Sequence, residues 1–518
     1  MDRRRTGANE NFRDVWRYMA TAMNELEDPS KSVAGFFYRL RERLNQPADI
    51  LPLVYFRVIF GILMAVEVYR YFNAGWIGRY YIEPNFLFKY FGFDWVQPLP
   101  GSGMYLHFFG LGVFAMLIIV GLWYRWVMPL FFFGFTYVFL LAQATYLNHF
   151  YLISLVSFVL IFLPANRFAA WDVRRKPELR LDSVPIWTIW LLRFQIAIPY
   201  IFGGIAKING DWLRGEPMRD WLSMRTDFPF IGHFFTEEWV VYAFSYGGLF
   251  FDLLVIPLIL WRPTRWIAVI GLVVFHIMND QLFSIGIFPW FMLFATPIFF
   301  PDHWLRKSLG SLGAGLPAVN KAAQRTTDAF QLRPLGFAML IGFVALNVSL
   351  PFRHHLYPGN VSWTEEGHRF AWHMKLRGKD GVTRFRVMDR QSEKEWFVNP
   401  ADYLTERQQR KMPTRPDMIL QFSHHLGRLW AEDGFEQVEV YAIANARLND
   451  HAYQPLIFPD VDLMQETRTL WKASWIVPFG QRVFTRAIAK HHAGRMQDGE
   501  HTDSADAHGA PLKHTFVK

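Results

Sequence analysis

Stretches of apolar residues long enough to cross a membrane recur along the first two thirds of this 518-residue chain. A transmembrane helix needs roughly 20 consecutive, mostly apolar residues. The chain is therefore predicted to be a polytopic α-helical membrane protein with nine spans, of which the fourth and the eighth are short enough to be tilted or re-entrant. The predicted spans are residues 52–70, 104–123, 127–147, 149–164, 186–206, 239–261, 266–283, 286–300 and 335–351.

The distribution of Lys and Arg orients these spans, because cytoplasmic loops carry an excess of both residues. If residues 1–50 are cytoplasmic, the loops after the second, fourth, sixth and eighth spans lie on the same side, and these loops are rich in Arg and Lys. This pattern accounts for the net charge of +9 better than nucleic-acid binding does. We therefore expect a protein of the cell inner membrane, with a cytoplasmic N-terminus and a periplasmic C-terminal domain.

Composition divides the chain into four predicted regions. The charged N-terminal segment either lies on the membrane surface or forms a soluble helical lead-in. After the last span, period-two alternation at 381–388 and 437–444 indicates half-buried strands, and residues 403–411 and 416–430 have helical patterns. The end of the chain is too polar to form a core. The regions are an amphipathic cytoplasmic segment (1–50), a transmembrane domain (51–352), a mainly β non-cytoplasmic domain (353–480) and a polar, disordered tail (481–518).

Three ionisable side chains lie inside or at the rim of predicted spans, namely His149, Lys207 and His276. Ionisable groups at membrane depth are costly and usually functional. On the predicted topology, His149 opens the fourth span and Lys207 closes the fifth, both at the outer side. His276 lies about 10 Å deep from the outer end of the seventh span, at 1.5 Å per residue. All three are therefore predicted to form one site that faces the same compartment as the C-terminal domain.

Lys207 is the strongest candidate for chemistry. Apolar surroundings disfavour the ammonium form, so a lysine there can accept a proton from an acidic hydroxyl such as that of a hydroquinone. Gly203 and Gly204, one turn earlier, would let another helix or a flat ligand approach the backbone closely. The structural alternative is a lysine whose amine snorkels to the membrane interface.

The two histidines each have an asparagine nearby. Asn148 and His149 could stabilise a developing oxyanion, or they could be a helix cap and a satisfied interfacial histidine. His276 and Asn279 share a helix face at i, i+3 and could serve likewise, or be structural. Two histidines and a lysine make a poor ligand set, and the chain has no cysteine, so no metal is predicted. The other charges within spans are interpreted as interhelical ion pairs or hydrogen bonds: Arg57, Glu67, Arg193 and Asp252.

The polar strings around these residues resemble the vitamin K-dependent gamma-glutamyl carboxylase family, including its bacterial HTTM-domain members. The resemblance covers roughly residues 50–480. The matching strings are residues 148–152, 204–212, 275–286, 288–289, 363–372, 399–400 and 457–462.

The resemblance implies a membrane lyase with a coupled reaction. Vitamin K hydroquinone, of the menaquinone or phylloquinone type, reacts with O2 and yields a strong base. That base removes a γ-proton from a protein or peptide glutamate, which then takes up CO2, and the quinone leaves as the epoxide. The resemblance implies that Lys207 is the weak base that starts oxygenation, that His149 with Asn148 stabilises charge, and that His276 lines the same pocket. The partners it implies are the glutamate substrate, the quinol and membrane lipid.

Two other functions stay open. The first is a quinol epoxidase or oxygenase that does not carboxylate. The second is a non-enzymatic lipid- or quinone-binding membrane protein, although a transporter would favour inverted repeats and a site at the membrane midplane, and no repeat is evident in the sequence.

Vertebrate family members join their membrane and lumenal parts by a disulfide, which a chain without cysteine cannot form. No propeptide-binding surface can be located from the sequence.

Overall fold

The computed structural model describes residues 33–311 and 330–481. The described chain begins with a short amphipathic helix, α1 (Val33–Leu44). It continues with nine apolar helices, which are α2 (Leu51–Asn73), α3 (Gly103–Val120), α4 (Tyr124–Leu141), α5 (Asn148–Phe162), α6 (Trp187–Ala206), α7 (Glu238–Leu260), α8 (Arg265–Phe283), α9 (Phe288–Ala295) and α10 (Pro334–Ser349).

Within the described residues, seven of these helices are long and apolar enough to cross a membrane. The two shorter ones, α5 and α9, are the fourth and eighth predicted spans. Each predicted span coincides with one helix, so the predicted helical membrane region is confirmed. Residues 1–32 and nearly all of the predicted tail lie outside the described residues. Further short helices are Trp171–Arg175, Gly210–Leu213, Met218–Ser223, Asp302–Ser311 and Val361–Thr364.

The charges inside the apolar helices have partners. Arg57 is 1% exposed and donates to backbone carbonyl oxygens of the loop between α5 and α6. Arg193 donates to the carbonyl oxygen of Ile298 at 2.8 Å. Glu67 pairs with Arg70 at 2.6 Å, within one helix rather than between helices as the sequence suggested. Because their hydrogen bonds reach other segments, the buried Arg57 and Arg193 side chains fix the positions of those segments relative to their own helices.

In the part of the chain that the structure describes, six strands form two antiparallel sheets. In the small sheet, β1 (Pro47–Asp49) pairs with β2 (Ser183–Pro185) and joins the start of α2 to the start of α6. The larger sheet lies in the C-terminal region (residues 353–481) and has the order β4-β3-β5-β6. Its strands are β3 (Lys379–Asp389), β4 (Glu395–Val398), β5 (Val438–Leu448) and β6 (Gln454–Pro455). The pattern at 381–388 falls inside β3, and the one at 437–444 begins one residue before β5; these two strands pair along all eleven residues of each.

Two helices accompany this sheet, α11 (Glu406–Lys411) and α12 (Pro416–Glu432). They match the two predicted helical segments. A proline begins α12, where its fixed φ and missing N–H are tolerated. The apolar face of α12 packs on the sheet, with Phe422 edge-on to Phe385 at 5.0 Å between ring centroids. The core of the C-terminal region is built from this sheet and helix, together with Phe88 and Ala144 of the preceding region, which confirms the predicted change of fold class after the last span.

Among the segments by which the C-terminal region contacts the membrane region is Glu365–Arg377, which we call the seam segment. The rings of Phe370 and Trp372 both lie 4.9 Å from the ring of Tyr151 on α5. The backbone carbonyl oxygen of His373 accepts a hydrogen bond from Asn148 Nδ2 at 3.1 Å. Aromatic packing and hydrogen bonds thus join the two regions, in a chain that has no cysteine for a disulfide.

Candidate active site

Lys207 lies directly after α6, in a turn that a local cap fixes. Asn209 Oδ1 accepts the backbone N–H of Trp212 at 3.0 Å and starts the next short helix. The lysine side chain is only 7% exposed, and its amine forms an ion pair with the Asp252 carboxylate on α7. The amine also lies 5.3 Å from the ring centroid of Trp212. The amine therefore points into the protein and does not snorkel to an interface.

The ion pair changes the chemical argument for Lys207. Burial by itself favours a neutral amine, but a carboxylate in contact favours the ammonium form. Removing the proton from Lys207 to solvent would leave the Asp252 charge buried and alone, which is strongly unfavourable. The lysine can give up its proton at little cost only if Asp252 receives it. A proton exchange at Lys207 would therefore involve both members of the pair.

The two glycines before Lys207 serve helix packing. A Cβ atom at Gly203 would lie 3.2 Å from Asp252 Oδ2, and one at Gly204 would lie 2.7 Å from the side chain of Leu253 and 3.1 Å from its backbone nitrogen. The structure shows one of the two expectations for these glycines, the close approach of another helix, because α7 packs against α6 at this point. That approach brings Asp252 within reach of the lysine.

His276 is 1% exposed on α8, and its Nε2 lies 2.6 Å from the hydroxyl oxygen of Tyr200. Tyr200 precedes Lys207 by seven residues, which puts both side chains on one face of α6. That spacing was the signal by which sequence reasoning could have found Tyr200. Asn279 donates to the backbone carbonyl of Phe275 at 2.8 Å and lines the same cavity as His276.

His149 lies at the start of α5 and is 7% exposed. Its ring stacks on Phe288, with 5.8 Å between centroids, and Phe288 is edge-on to His276 at 6.2 Å. Asn148 does not cap the helix, because its side chain accepts from the Tyr146 hydroxyl at 2.8 Å and donates to the seam segment. Phe288 thus lies between the two predicted histidines.

Two cavities meet at this place. The apolar cavity, of about 380 Å³, lies among α6, α7 and α8 and contains Lys207, Asp252 and His276 in its wall. The basic chamber, of about 560 Å³, lies between the membrane helices and the C-terminal region and contains His149 in its wall. Both cavities share the side chains of Phe283, Ile285, Phe288, Met374 and Lys375. The predicted residues therefore lie close together but line different cavities: Lys207 and His276 line the apolar cavity, and His149 lines the basic chamber.

The basic chamber has a large excess of positive charge. Among the described residues, eight Arg and Lys side chains line it against two carboxylates, Glu67 and Glu365. Most of these cations come from the seam segment and α11 and were not predicted as site residues. A cavity lined by one sign of charge concentrates ligands of the opposite sign. The chamber is therefore suited to an anion.

Glu365 is the buried carboxylate of the chamber, and it pairs with Arg377 and with Lys379. Burial alone would raise its pKa, but the two cations hold the pKa of Glu365 well below its usual range. Burial lowers the pKa of Lys379 to about 7. Burial, together with neighbouring guanidinium groups, lowers the pKa of Lys411 to about 7 as well. Both lysines therefore change charge near neutral pH.

We expect the affinity of the chamber for an anion to fall as the pH rises through about 7. Lys379 and Lys411 are charged below the pKa values given above and lose their protons above them, so an anion loses two attractive partners. Binding of a fluorescent acidic peptide, measured between about pH 6 and about pH 9, tests this expectation. The Lys411→Arg variant keeps its charge throughout and should flatten the profile. Equal affinity of the wild-type protein across this range would contradict the prediction.

Within residues 33–311 and 330–481, no group of three or more histidine or carboxylate side chains converges in a way that could hold a metal ion.

Comparison with known families follows the division into two regions. The family described as HTTM domain matches residues 45–304, about half of the chain. The family described as vitamin K-dependent gamma-carboxylase, lumenal domain, matches residues 332–482. The first range includes His149, Lys207 and His276, and the second includes the cations of the seam segment and α11. No solved structure matches the chain.

Proposed function

This chain belongs to the vitamin K-dependent gamma-carboxylase family, and we propose that it carboxylates glutamate side chains of a protein or peptide in a reaction coupled to quinol epoxidation. The observation that carries the proposal is the pair of adjoining cavities. One is apolar and contains a buried proton-exchanging pair, and the other is basic. An apolar aromatic reductant and an anionic side chain would have adjacent sites.

The apolar cavity fits a hydroquinone. Its volume of about 380 Å³ lies in the usual range for small-molecule sites, about 300–1,000 Å³, and such sites are mostly apolar with a few placed polar groups. Lys207, Asp252 and the Tyr200–His276 pair are polar groups of this kind. When bound, the hydroquinone would supply, with O2, a base stronger than any protein side chain.

In this proposal the Lys207–Asp252 pair takes up the hydroxyl proton. Lys207 passes a proton from Nζ to Asp252 Oδ2, and the neutral amine then accepts a proton from an acidic hydroxyl in the cavity. The ammonium is restored and pairs with the oxyanion formed on the ligand, while the carboxyl group is neutral, so no buried charge is left unpaired. Tyr200 and His276 would orient the ligand from the opposite side by hydrogen bonds.

The basic chamber would bind the substrate glutamate. Cations lower the free energy of a bound carboxylate and of the second carboxylate that addition of CO2 creates. His149 lines the chamber beside Phe288, which both cavities share, and in this proposal it would donate a hydrogen bond to developing charge. The excess of cations favours carboxylation over quinol oxygenation alone, because oxygenation would not need an anion site.

The test is an assay of the purified protein with vitamin K hydroquinone, O2, labelled CO2 and a glutamate-containing peptide. We expect both quinone epoxide and labelled peptide. If epoxide forms but the peptide is not labelled, the chain is a quinol oxygenase. If the folded protein forms neither product, a non-enzymatic binding role is favoured. A matching peptide with glutamine in place of glutamate serves as the control.

We also propose an inner-membrane location with the C-terminal region on the periplasmic side. The basic loops and the lumenal-domain match support it. The chain has no cysteine, so single introduced cysteines report without background. In intact cells we expect a membrane-impermeant maleimide to label Gln391→Cys and not Lys176→Cys, both exposed positions. The reverse pattern would invert the proposed orientation.

A further inference from the structure

The seam segment has an unusual backbone. Four of its non-glycine residues have φ in the left-handed region: Glu365 at 66°, Phe370 at 65°, Trp372 at 59° and Lys375 at 48°. Such conformations are unfavourable for residues with a Cβ atom and persist only where the surroundings impose them, which is often at functional sites. The rings of two of these residues, Phe370 and Trp372, pack on Tyr151. The last of the four residues places a lysine at the wall between the two cavities.

The amine of Lys375 lies between two aromatic rings, 4.7 Å from the ring centroid of Phe283 and 5.6 Å from that of Trp221. Aromatic faces attract a cation but leave its hydrogen-bond donors free. Among the described residues, no carboxylate forms an ion pair with this amine. The side chain is accessible, yet it is enclosed enough that burial lowers the pKa of Lys375. The amine is thus an available cation.

Three other cations of the chamber, unlike Lys375, have carboxylate partners. Arg377 and Lys379 pair with Glu365, and Arg70 pairs with Glu67. Of the eight chamber cations in the described chain, only Lys375 also lines the apolar cavity. A ligand carboxylate bound to its amine would therefore lie at the border, next to the compartment of Lys207.

We propose that Lys375 is the residue that binds the carboxylate of the substrate glutamate at the wall between the two cavities. The ammonium donates hydrogen bonds to one carboxylate, and the adjoining methylene group faces the apolar cavity. The strained backbone holds the lysine at this position. This inference rests on the proposed function, since it takes the glutamate side chain as the ligand.

The test is a binding measurement that needs no catalysis. A fluorescein-labelled peptide with one glutamate, and its glutamine counterpart, are titrated with detergent-solubilised protein and followed by fluorescence anisotropy. We expect the wild-type protein to prefer the glutamate peptide. Lys375→Met should weaken glutamate binding by about 10- to 100-fold, the effect of losing a charge-assisted hydrogen bond. Lys375→Arg should restore part of the preference.

Lys394→Met is the matched control, because Lys394 is exposed beside the sheet of the C-terminal region. We expect this variant to bind both peptides as the wild-type protein does. Thermal unfolding checks that each variant is folded, and Lys375→Gln replaces the methionine variant if that one is not. Unchanged glutamate binding in a folded, uncharged variant would overturn the inference, as would a wild-type protein that does not distinguish the peptides.

The same variants separate this inference from the proposed function. If Lys375→Met loses binding but the wild-type protein forms no labelled product, the carboxylate site is correct and the carboxylase proposal fails. If carboxylation occurs and Lys375→Met binds and carboxylates normally, the proposed function stands and the role of Lys375 is wrong.

Discussion

Replacing Lys207 with alanine is expected to reduce quinol epoxidation by about 10²- to 10⁴-fold, the usual contribution of a positioned acid–base group. The amine is buried in the wall of the apolar cavity and paired with Asp252. Without it, Asp252 has no amine through which to take up the hydroxyl proton. Epoxide formation by purified protein, measured against a wild-type preparation of equal folded content, checks the prediction.

The alanine variant leaves Asp252 without its partner, and breaking a buried ion pair destabilises a protein by about 3–5 kcal/mol. The double variant Lys207→Met/Asp252→Asn removes both charges and should recover stability without recovering activity. Asp252→Asn alone should lose activity as the pH falls, because its buried lysine then accepts the hydroxyl proton only in the neutral form, which burial favours and acid removes. Normal epoxidation by folded Lys207→Ala would end the assignment.

Replacing Gly204 with valine is expected to destabilise the membrane region and to remove activity. A Cβ atom there would lie 2.7 Å from the side chain of Leu253 and 3.1 Å from its backbone nitrogen. Because the backbone nitrogen cannot move aside as a flexible side chain could, α6 and α7 must separate. Overpacking typically costs about 1–3 kcal/mol, and separation would also part Lys207 from Asp252. Thermal unfolding in detergent and epoxide formation measure the two effects.

Gly342 on α10 is the matched control. A Cβ atom at this position would meet no atom within 4 Å, so Gly342→Val changes the same residue type in an apolar helix without a collision. We expect its unfolding midpoint and activity to remain near those of the wild type. If Gly204→Val unfolds at the same temperature as Gly342→Val and stays active, the close contact between α6 and α7 does not hold the site.

Asp252 shows where sequence reasoning stopped. Its position inside a span indicated a paired charge, and that interpretation was correct. Its partner could not be named, because Lys207 lies on another helix and 45 residues away. Which face of one helix meets which face of another depends on the packing of all the helices around them. Lys207 is therefore affected both by burial and by the neighbouring Asp252 carboxylate, and only its burial could be predicted from the sequence.

The basic chamber shows the same limit on a larger scale. The basic residues of the seam segment and α11 can be read from the sequence. Charged residues in a polar region are usually solvated, however, so their pattern did not predict that they line one cavity. Their convergence depends on the turns of the seam segment, including left-handed residues such as Phe370 and Trp372, which carry no local sequence signature. The chamber was accordingly absent from the predicted site.

By itself, the sequence determined the apolar helices, the change to a sheet-containing region, the family resemblance, and the presence of His149, Lys207 and His276 at helix positions that could share a site. These properties follow from hydropathy, periodicity and short strings, all of which are local along the chain. Only the tertiary structure decided that Lys207 is held by a carboxylate and that the site is divided into an apolar and a basic compartment. Those features arise from contacts between segments far apart in sequence, and their geometry is fixed by packing rather than by any local pattern.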